Sequence, residues 1–155
     1  MVQTVISEAR SAADRALAFA IRREVFVVEQ RISAALEFDG RDGAARHLLA
    51  RQGGAPVGSL RLRLLEHGRV AKIERVAVRA AARRHGVGQA LLEAALALAC
   101  AAGAKEARLH AQCTVQGFYG ALGFVAEGPT FIEDGIAHVA MRLDLAGEER
   151  ARWCR

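Results

Sequence analysis

The chain has 155 residues, of which 52% are hydrophobic and 25% are charged, and its formal net charge is +5 at pH 7. This length is typical of one domain with a sizeable core, and the hydrophobic share excludes an intrinsically disordered chain. The positive charge favours an anionic ligand, whereas the low aromatic content, 5%, and the lack of a base-stacking motif argue against nucleic acid as the partner.

The three cysteines, Cys100, Cys113 and Cys154, are odd in number and form no C-x-x-C pair. This spacing predicts neither a disulfide framework nor a zinc site, so we expect no metal and a reducing compartment. The sequence opens with no basic and apolar leader, and its longest apolar run, 91–102, is too short for a membrane span and contains Glu93. We therefore expect a cytoplasmic protein that does not bind membranes.

The first half of the chain predicts a helix among antiparallel strands. Ser11 is the predicted N-cap of the helix, with Asp14 three residues later. Between residues 57 and 65 three leucines alternate with Arg61 and Arg63, which predicts a half-buried strand with the arginines on the face opposite the leucines. The predicted strands of this half lie at 4–6, 45–51, 57–65 and 70–78, and a turn at His67-Gly68 joins the last two as a hairpin.

Charged residues cluster in two segments of this half. Arg22, Glu24 and Glu29 accompany the end of the predicted helix, and the loop 37–43 is acidic and contains two glycines. Such carboxylates suit a solvated surface, and they also suit attraction of a cationic substrate. Both interpretations stay open at this point.

The predicted strand at 70–78 changes its alternation midway. Ala71 and Ile73 share one parity, whereas Val76 and Val78 share the other. A one-residue bulge near 74–75 would bring all four apolar side chains to one face and would splay the strand from its neighbour.

A basic glycine loop at 83–88 separates this strand from a predicted helix that begins at Gln89. Gly86 and Gly88 permit an anion to approach the backbone amides closely, and the first helical turn adds unpaired N–H groups and the positive end of the helix dipole. We interpret the loop as a phosphate-binding loop. It lacks the Lys-Ser/Thr pair of the P-loop and the third glycine of the dinucleotide fingerprint, and a plain helix start is the alternative. The basic residues of this region are Arg79, Arg83, Arg84 and His85.

The second half predicts a parallel strand pair. Gly103 is the predicted C-cap of the helix, and a strand at 107–111 follows, so the strand–helix–strand unit implies a right-handed crossover. A short helix at 114–122, a strand from Gly123 and a strand at 136–143 complete the predicted elements. The charged tail 146–155, around Trp153, either frays or packs on a partner subunit.

Arg83, Gly86 and Gly88 fit the pattern [R/Q]-x-x-G-x-[G/A] after a strand, and here the chain resembles the GNAT superfamily of N-acetyltransferases in its acetyl-CoA loop. The run 118–124 fits the F-Y-x-x-x-G-F part of a second GNAT motif, although Gln112 and Val115 replace its usual Asn and Ala. Further segments resemble the ElaA-like branch of the superfamily; they lie at 25–30, 37–42, His47, 110–112 and 135–138.

This resemblance implies a GNAT fold of the α/β (α+β) class, a single domain at 1–145 followed by the tail 146–155. Its central sheet is expected to be mixed, largely antiparallel and six- to seven-stranded, with a splayed parallel pair and about four flanking helices. The implied reaction transfers the acetyl group of acetyl-CoA to a primary amine of a small molecule or peptide by direct attack, and a homodimer is a common arrangement. A non-catalytic acyl-CoA-binding module of the same fold is the alternative. The implied acetyl-CoA contacts are Val76, Ala77, Val78, Arg83, Arg84, His85, Gly86, Val87, Gly88, Gln89, Gln112 and Phe118.

The resemblance also implies catalytic roles. Tyr119 occupies the position of the acid that protonates the coenzyme A thiolate, and backbone N–H groups at 76–78 would stabilise the oxyanion. Glu74, beside the expected bulge, is the first candidate for the base, and pairing with a nearby Arg or Lys is the equal alternative. His110 and His138 are further candidates as base or substrate contacts, and Glu29 is a candidate substrate contact.

Overall fold

The computed structural model describes residues 2–148 and 150–154, and within them the chain forms seven β-strands and five α-helices. The strands form one mixed sheet in the order β1-β2-β3-β4-β5-β7-β6, which confirms the expected fold class. The strands are β1 (Thr4–Glu8), β2 (Arg46–Gln52), β3 (Ala55–Leu65), β4 (Val70–Val78), β5 (Glu106–Gln112), β6 (Val125–Glu133) and β7 (Ile136–Asp144). The helices are α1 (Ala12–Arg22), α2 (Ala34–Glu37), α3 (Val87–Ala101), α4 (Gln116–Ala121) and α5 (Arg150–Trp153).

The chain divides into two compact units, and β3, β4 and α3 each have residues in both. The first unit is the chain up to Arg63 together with Glu74–Ala95, and the second is Leu64–Ile73 together with the chain from Leu96 onward. Within the described part of the chain, no helix is long and apolar enough to cross a lipid bilayer.

The first unit contains an antiparallel ladder of β1, β2 and β3, with Leu49 of β2 paired to both Ser7 and Ser59. The Ser11 hydroxyl accepts a 3.0 Å hydrogen bond from the Asp14 amide, which confirms the predicted N-cap of α1. The apolar core of this unit is fully buried and includes Ile21, Leu49, Leu60, Leu62, Leu91 and Leu92.

The alternation in β3 is confirmed for Leu60 and Leu62, which are buried, but not for Leu64, which is 38% exposed. The half-buried strand that the pattern predicted is also wrong at Arg61. This arginine is fully buried, because carboxylates from the loop 37–42 and from β4 cover the face that was expected to be polar. A period of two identifies the two faces of a strand, but it does not tell whether another segment covers the polar one.

A π-helical segment, Arg23–Glu29, continues α1 and ends with the Gln30 amide donating to the Val25 carbonyl at 3.1 Å. Such five-residue hydrogen bonds are rare and often mark functional regions. The segment carries Glu24 and Glu29, whose carboxylates form ion pairs with Arg79 and Arg83 rather than a purely solvated face.

The bulge expected in β4 is present at Arg75, which has a left-handed φ of 57°. Consecutive strand residues normally point to opposite faces. Glu74 and Arg75 instead contact the same group of charged side chains. Arg61 binds both Glu74 and Asp39, and Arg75 also binds Asp39. Beyond the bulge Ala77 is the buried side chain, while Val76 and Val78 are partly exposed. The expectation that these two valines would share one buried face with Ala71 and Ile73 is therefore wrong.

The second unit contains the predicted parallel pair. Val70, Ala71 and Lys72 of β4 pair with Glu106–Arg108 of β5, and β5 continues antiparallel to β7. Helix α3 ends in a Schellman motif, in which Gly103 has φ 88° and the Ala104 amide donates to the Ala99 carbonyl at 3.0 Å. The core of this unit is fully buried and includes Leu96, Ala107, Leu143 and Leu145.

The expectation that the cysteines would form no disulfide is wrong, because Cys100 of α3 is bonded to Cys154 after α5, with the two Cα atoms 5.1 Å apart. The tail therefore packs on its own unit, where Trp153 is buried. Fifty-four residues separate the two cysteines, so their spacing carried no signal for the pair. The inference to a reducing compartment rested on unpaired cysteines and loses that support; Cys113 is a free cysteine.

Gly58 of β3 lies where the start of α3 meets β4. A methyl group at this position would come within 3.0 Å of the Val87 Cγ1 atom and 3.1 Å of both the Ala77 carbonyl oxygen and the Leu91 Cδ1 atom. The Ala77 oxygen belongs to the backbone of β4 and cannot rotate away, so a larger residue must displace β4 and crowd the side chains at the start of α3.

We predict that Gly58→Ala lowers the free energy of unfolding by about 1–3 kcal/mol, the usual cost of overpacking a core. Urea unfolding measures the change. Gly43→Ala is the matched control, because a methyl group there meets no atom within 4 Å and the residue has no left-handed φ. Equal midpoints for the two variants would contradict the prediction.

Candidate active site

The glycine loop 83–88 leads directly into α3, which begins at Val87, two residues before the predicted start. The Ala90 amide is the donor that bonds to the Gly86 carbonyl, at 3.0 Å. The amides of Val87, Gly88 and Gln89 come before this first helical hydrogen bond. As at any helix start, they have no acceptor within the helix. They can donate to an anion at the positive end of the dipole.

The turn before the helix is open. Gly86 has φ 80°, and no atom lies within 4 Å of the position that a Cβ would take. Arg84 also adopts a left-handed φ of 65°, and its side chain and that of His85 are exposed. Alternating left-handed residues of this kind turn successive amides toward one concave side, which suits phosphate oxygens.

Arg83 has partners inside the first unit. Its guanidinium forms two bonds to the Glu29 carboxylate, at 2.7 and 2.8 Å, and a third to the Val78 carbonyl at 2.9 Å. The hydrogen bond from Arg83 lowers the pKa of Glu29. Glu29, predicted as a substrate contact, therefore fixes an arginine of the glycine loop.

A buried arginine network occupies the acidic loop 37–42. We use this name for four arginines and four carboxylates of the first unit: Arg22, Arg61, Arg63, Arg75, Glu37, Asp39, Asp42 and Glu74. Their formal charges cancel. The loop is therefore neither a solvated turn nor a set of unpaired carboxylates for a cationic substrate, the two interpretations that the sequence left open.

Arg61 is the centre of the network. It donates to both Asp39 oxygens, at 2.8 and 2.9 Å, to Asp42 at 3.1 Å and to Glu74 at 2.9 Å. The hydrogen bonds from Arg61 hold the pKa of Asp39 well below its usual range. Burial instead raises the pKa of Glu37, more than its bond from Arg22 lowers it.

Glu74 belongs to this network as well. Its Oε1 atom accepts from Arg63 and its Oε2 atom from Arg61. Burial alone would raise the pKa of Glu74, but the two arginines outweigh it and the pKa is lowered. A carboxylate with both oxygens engaged and a lowered pKa is a poor proton acceptor, so the geometry favours the alternative of a paired strand carboxylate.

We predict that Arg61→Met lowers the free energy of unfolding by about 3 kcal/mol or more, because it leaves buried carboxylates without their partner. Thermal or urea unfolding measures the loss. Arg51→Met is the control, since Arg51 and its partner Asp14 are about one-third exposed and such pairs contribute about 1 kcal/mol or less. A loss for Arg61→Met no larger than that of the control would refute the assignment.

Tyr119 lies on α4 in the second unit, with its ring edge-on to those of Phe118 and Phe124. Its side chain is 9% exposed, and burial raises the pKa of its phenol to about 12. The phenol is therefore protonated at neutral pH, as a proton donor must be. Phe118 is partly exposed beside it, and Gln112 pairs with His138 across β5 and β7.

We predict that the native protein shows tyrosinate absorbance only as the pH approaches 12, whereas the chain in guanidinium chloride shows it near 10. Tyr119 is the sole tyrosine of the sequence, so the near-ultraviolet signal reports this residue. Because its folded pKa lies above its unfolded pKa, this phenol favours the native state less as the pH rises from about 10 toward 12. A native titration near 10 would show that the ring is not buried.

His110 and His138 lie on neighbouring strands of the second unit and share Glu133 of β6. No sequence motif pointed to Glu133 or Phe131 as site residues, although the Asp134-Gly135 dipeptide is a hairpin signal. This turn sets the register Phe131↔His138 between β6 and β7. Among the residues that the structure describes, no three His, Cys, Asp or Glu side chains form a group suited to hold a metal ion.

The predicted site residues thus divide between the units. The glycine loop, the strand end 76–78, Glu74 and Glu29 belong to the first unit, and Gln112, Phe118, Tyr119 and the two histidines belong to the second.

Comparison with known proteins places these features in a family. A family model described as an acetyltransferase (GNAT) domain matches residues 8–145. The uncharacterized N-acetyltransferase YjcF of Bacillus subtilis is 34% identical over 128 residues, which cover 82% of this chain and 90% of that protein.

Two solved structures are similar throughout. An acyl-CoA N-acyltransferase from Pseudomonas aeruginosa is 34% identical with a TM-score of 0.78, covering 92% of this chain and 99% of that one. Escherichia coli ElaA is 28% identical with a TM-score of 0.79, covering 93% of this chain and 100% of that one. The family model matches most of this chain, and a relative is more than 30% identical to it. This chain therefore belongs to the GNAT acetyltransferase family.

Proposed function

We propose that the protein transfers the acetyl group of acetyl-CoA to a primary amine by direct attack of the amine on the thioester. The observation that carries this proposal is the open glycine turn at Gly86, followed by the amides that precede the first helical bond of α3. Membership of the GNAT family and the 34% identity to an acyl-CoA N-acyltransferase support an acyl-CoA donor.

The loop has the parts that a pyrophosphate needs. The amides of Val87, Gly88 and Gln89 donate at the helix start, and Arg84 and His85 add exposed basic groups. Arg83 holds the loop to the strand end through its bond to the Val78 carbonyl. Acetyl-CoA would supply the thioester, and the loop residues would bind its phosphates.

Tyr119 is the proposed acid that gives a proton to the departing thiolate. Its pKa of about 12 keeps the phenol protonated at any physiological pH. Glu74 is not retained as the proposed base, since Arg61 and Arg63 occupy its two oxygens.

We predict that acetyl-CoA binding, measured by calorimetric titration, is weakened at least tenfold in Gly86→Asp, because the added carboxylate repels phosphate and crowds the turn. Gly54→Asp is a matched control: Gly54 has φ 82°, against 80° for Gly86, and a Cβ meets no atom within 4 Å at either position. Both variants add the same charge and the same backbone strain. Equal weakening in the two, or no binding by the wild type, would reject the loop as the coenzyme A site.

Thiol release with a panel of primary amines tests the transfer itself. Tyr119→Phe is expected to reduce kcat by about 10²- to 10⁴-fold, the usual contribution of a general acid, while acetyl-CoA binding persists. Unchanged turnover in this variant would reject the acid role. Wild-type protein that binds acetyl-CoA but releases no thiol with any amine would support a non-catalytic acyl-CoA-binding module.

A further inference from the structure

Three polar side chains of the second unit form a chain that ends on a carboxylate. The Lys72 ammonium lies 3.2 Å from the His110 Nε2 atom. An ammonium only donates hydrogen bonds, so Nε2 of His110 accepts and its Nδ1 atom carries the proton. That Nδ1–H group donates to the Glu133 Oε1 atom at 3.2 Å. One oxygen of Glu133 is therefore fixed by His110.

His138 has a defined tautomer for a similar reason. Its Nδ1 atom lies 2.7 Å from the Ile136 carbonyl oxygen. A carbonyl only accepts, so Nδ1 carries the proton and, in the neutral ring, Nε2 carries the lone pair. The His138 side chain is 9% exposed and is held in place by stacking on Phe131, with ring centroids 6.0 Å apart. A fixed ring with an unprotonated Nε2 is the arrangement of a general base.

The second oxygen of Glu133 lies near this nitrogen. The Glu133 Oε2 atom and the His138 Nε2 atom are 3.8 Å apart, too far for a hydrogen bond to each other. Both are acceptors when the imidazole is neutral. A nitrogen with at least two N–H groups, placed about 2.9 Å from each atom, would bond to both. Glu133 is 42% exposed on its side chain, so such a group can reach it from solvent.

A primary ammonium group matches these two acceptors in charge and in donors. It carries three N–H groups and a positive charge, which the Glu133 carboxylate would balance. The Phe131 ring contacts His110 edge-on, with their centroids 5.0 Å apart. Beside the two acceptors it offers apolar surface for the carbon chain of an amine.

We infer that Glu133 and His138 form the acceptor site of the proposed transferase: Glu133 binds the acceptor as its ammonium ion, and His138 Nε2 removes the proton that makes the amine a nucleophile. This inference rests on the proposed function. His110 is a positioning residue that acts through Glu133. The acceptor class is a primary alkylamine that is positively charged in solution, rather than an aromatic amine or a carboxylate-flanked amine.

The proton balance is complete. The ammonium gives one proton to His138 Nε2, and the freed lone pair forms the C–N bond to the acetyl carbonyl carbon. The C–S bond then breaks, and the thiolate takes a proton from the Tyr119 phenol. The amide nitrogen loses a second proton to solvent as Tyr119 is reprotonated, and His138 returns its proton to solvent, so one proton is released overall.

The site can be tested without catalysis, by nuclear magnetic resonance of the protein with n-butylammonium chloride and no coenzyme A. Above neutral pH, nitrogen shifts of His138 are expected to show the Nδ1–H tautomer, and the amine is expected to shift His138 and His110 together. Glu133→Gln should weaken this binding at least tenfold. Glu127→Gln is the matched control, because Glu127 is on the same strand, 54% exposed and paired with Arg142 at 3.4 Å. An Nε2–H tautomer, or equal binding by both variants, would overturn the inference.

Catalysis supplies the second test. The acidic limb of the pH profile of kcat/KM is expected to disappear in His138→Gln, with kcat lowered about 10²-fold or more, while acetyl-CoA binding is unchanged. The titratable groups around His138 are Glu133 on β6 and His110 on β5, with Lys72 reaching His110 from β4 and Cys113 in the turn after β5. Phe131→Leu should raise KM for n-butylamine more than it changes kcat.

The outcomes separate the two proposals. Thiol release by the wild type that His138→Gln leaves unchanged would overturn the acceptor site and keep the transferase. Ammonium binding that depends on Glu133, in a protein that releases no thiol, would keep the cation site and overturn the proposed reaction together with the role of His138 as its base.

Discussion

The buried guanidinium of Arg61 is the interaction on which the first unit depends. Desolvating a charge is costly unless it is paired and hydrogen-bonded. The two terminal nitrogens of Arg61 meet this requirement through Asp39, Asp42 and Glu74 at the same time. The loop 37–42 and the bulged part of β4 must therefore hold their positions together, because removal of either leaves the buried arginine with only some of its partners. The same ion pairs engage Glu74. Because the buried arginine needs this carboxylate as a partner, Glu74 is unsuited to accept a proton.

A second constraint is the turn at Asp134 and Gly135 in the second unit. Both residues have left-handed φ angles, 52° and 76°, as the tight hairpin turns require. The turn sets Phe131 opposite His138, so Glu133, two residues further along β6, lies on the same face. A one-residue slip would move the carboxylate to the other face. The proposed acceptor site is thus a product of strand register more than of loop conformation.

The two kinds of chemistry have different physical origins. The proposed anion binding at 83–89 would use backbone amides and an open glycine turn, so it would depend on backbone conformation and little on side-chain pKa values. The proposed proton transfers would use the phenol of Tyr119, kept protonated by burial, and the imidazole of His138, whose tautomer is fixed by one backbone carbonyl. Neither proposed role needs an ionised carboxylate on β4.

Local patterns in the sequence determined much of this protein: the N-cap at Ser11, the bulge near Arg75, the glycine turn at Gly86, the Schellman cap at Gly103 and the parallel pair of β4 and β5 all follow from residues close together in the chain. Tertiary structure alone decided the partners of Glu74, the burial of Arg61, the bond between Cys100 and Cys154 and the meeting of Glu133 with His138. The physical reason is that backbone conformation responds to neighbouring residues, whereas any arginine can pair with any carboxylate and any cysteine with another. Only the folded chain selects which of them meet.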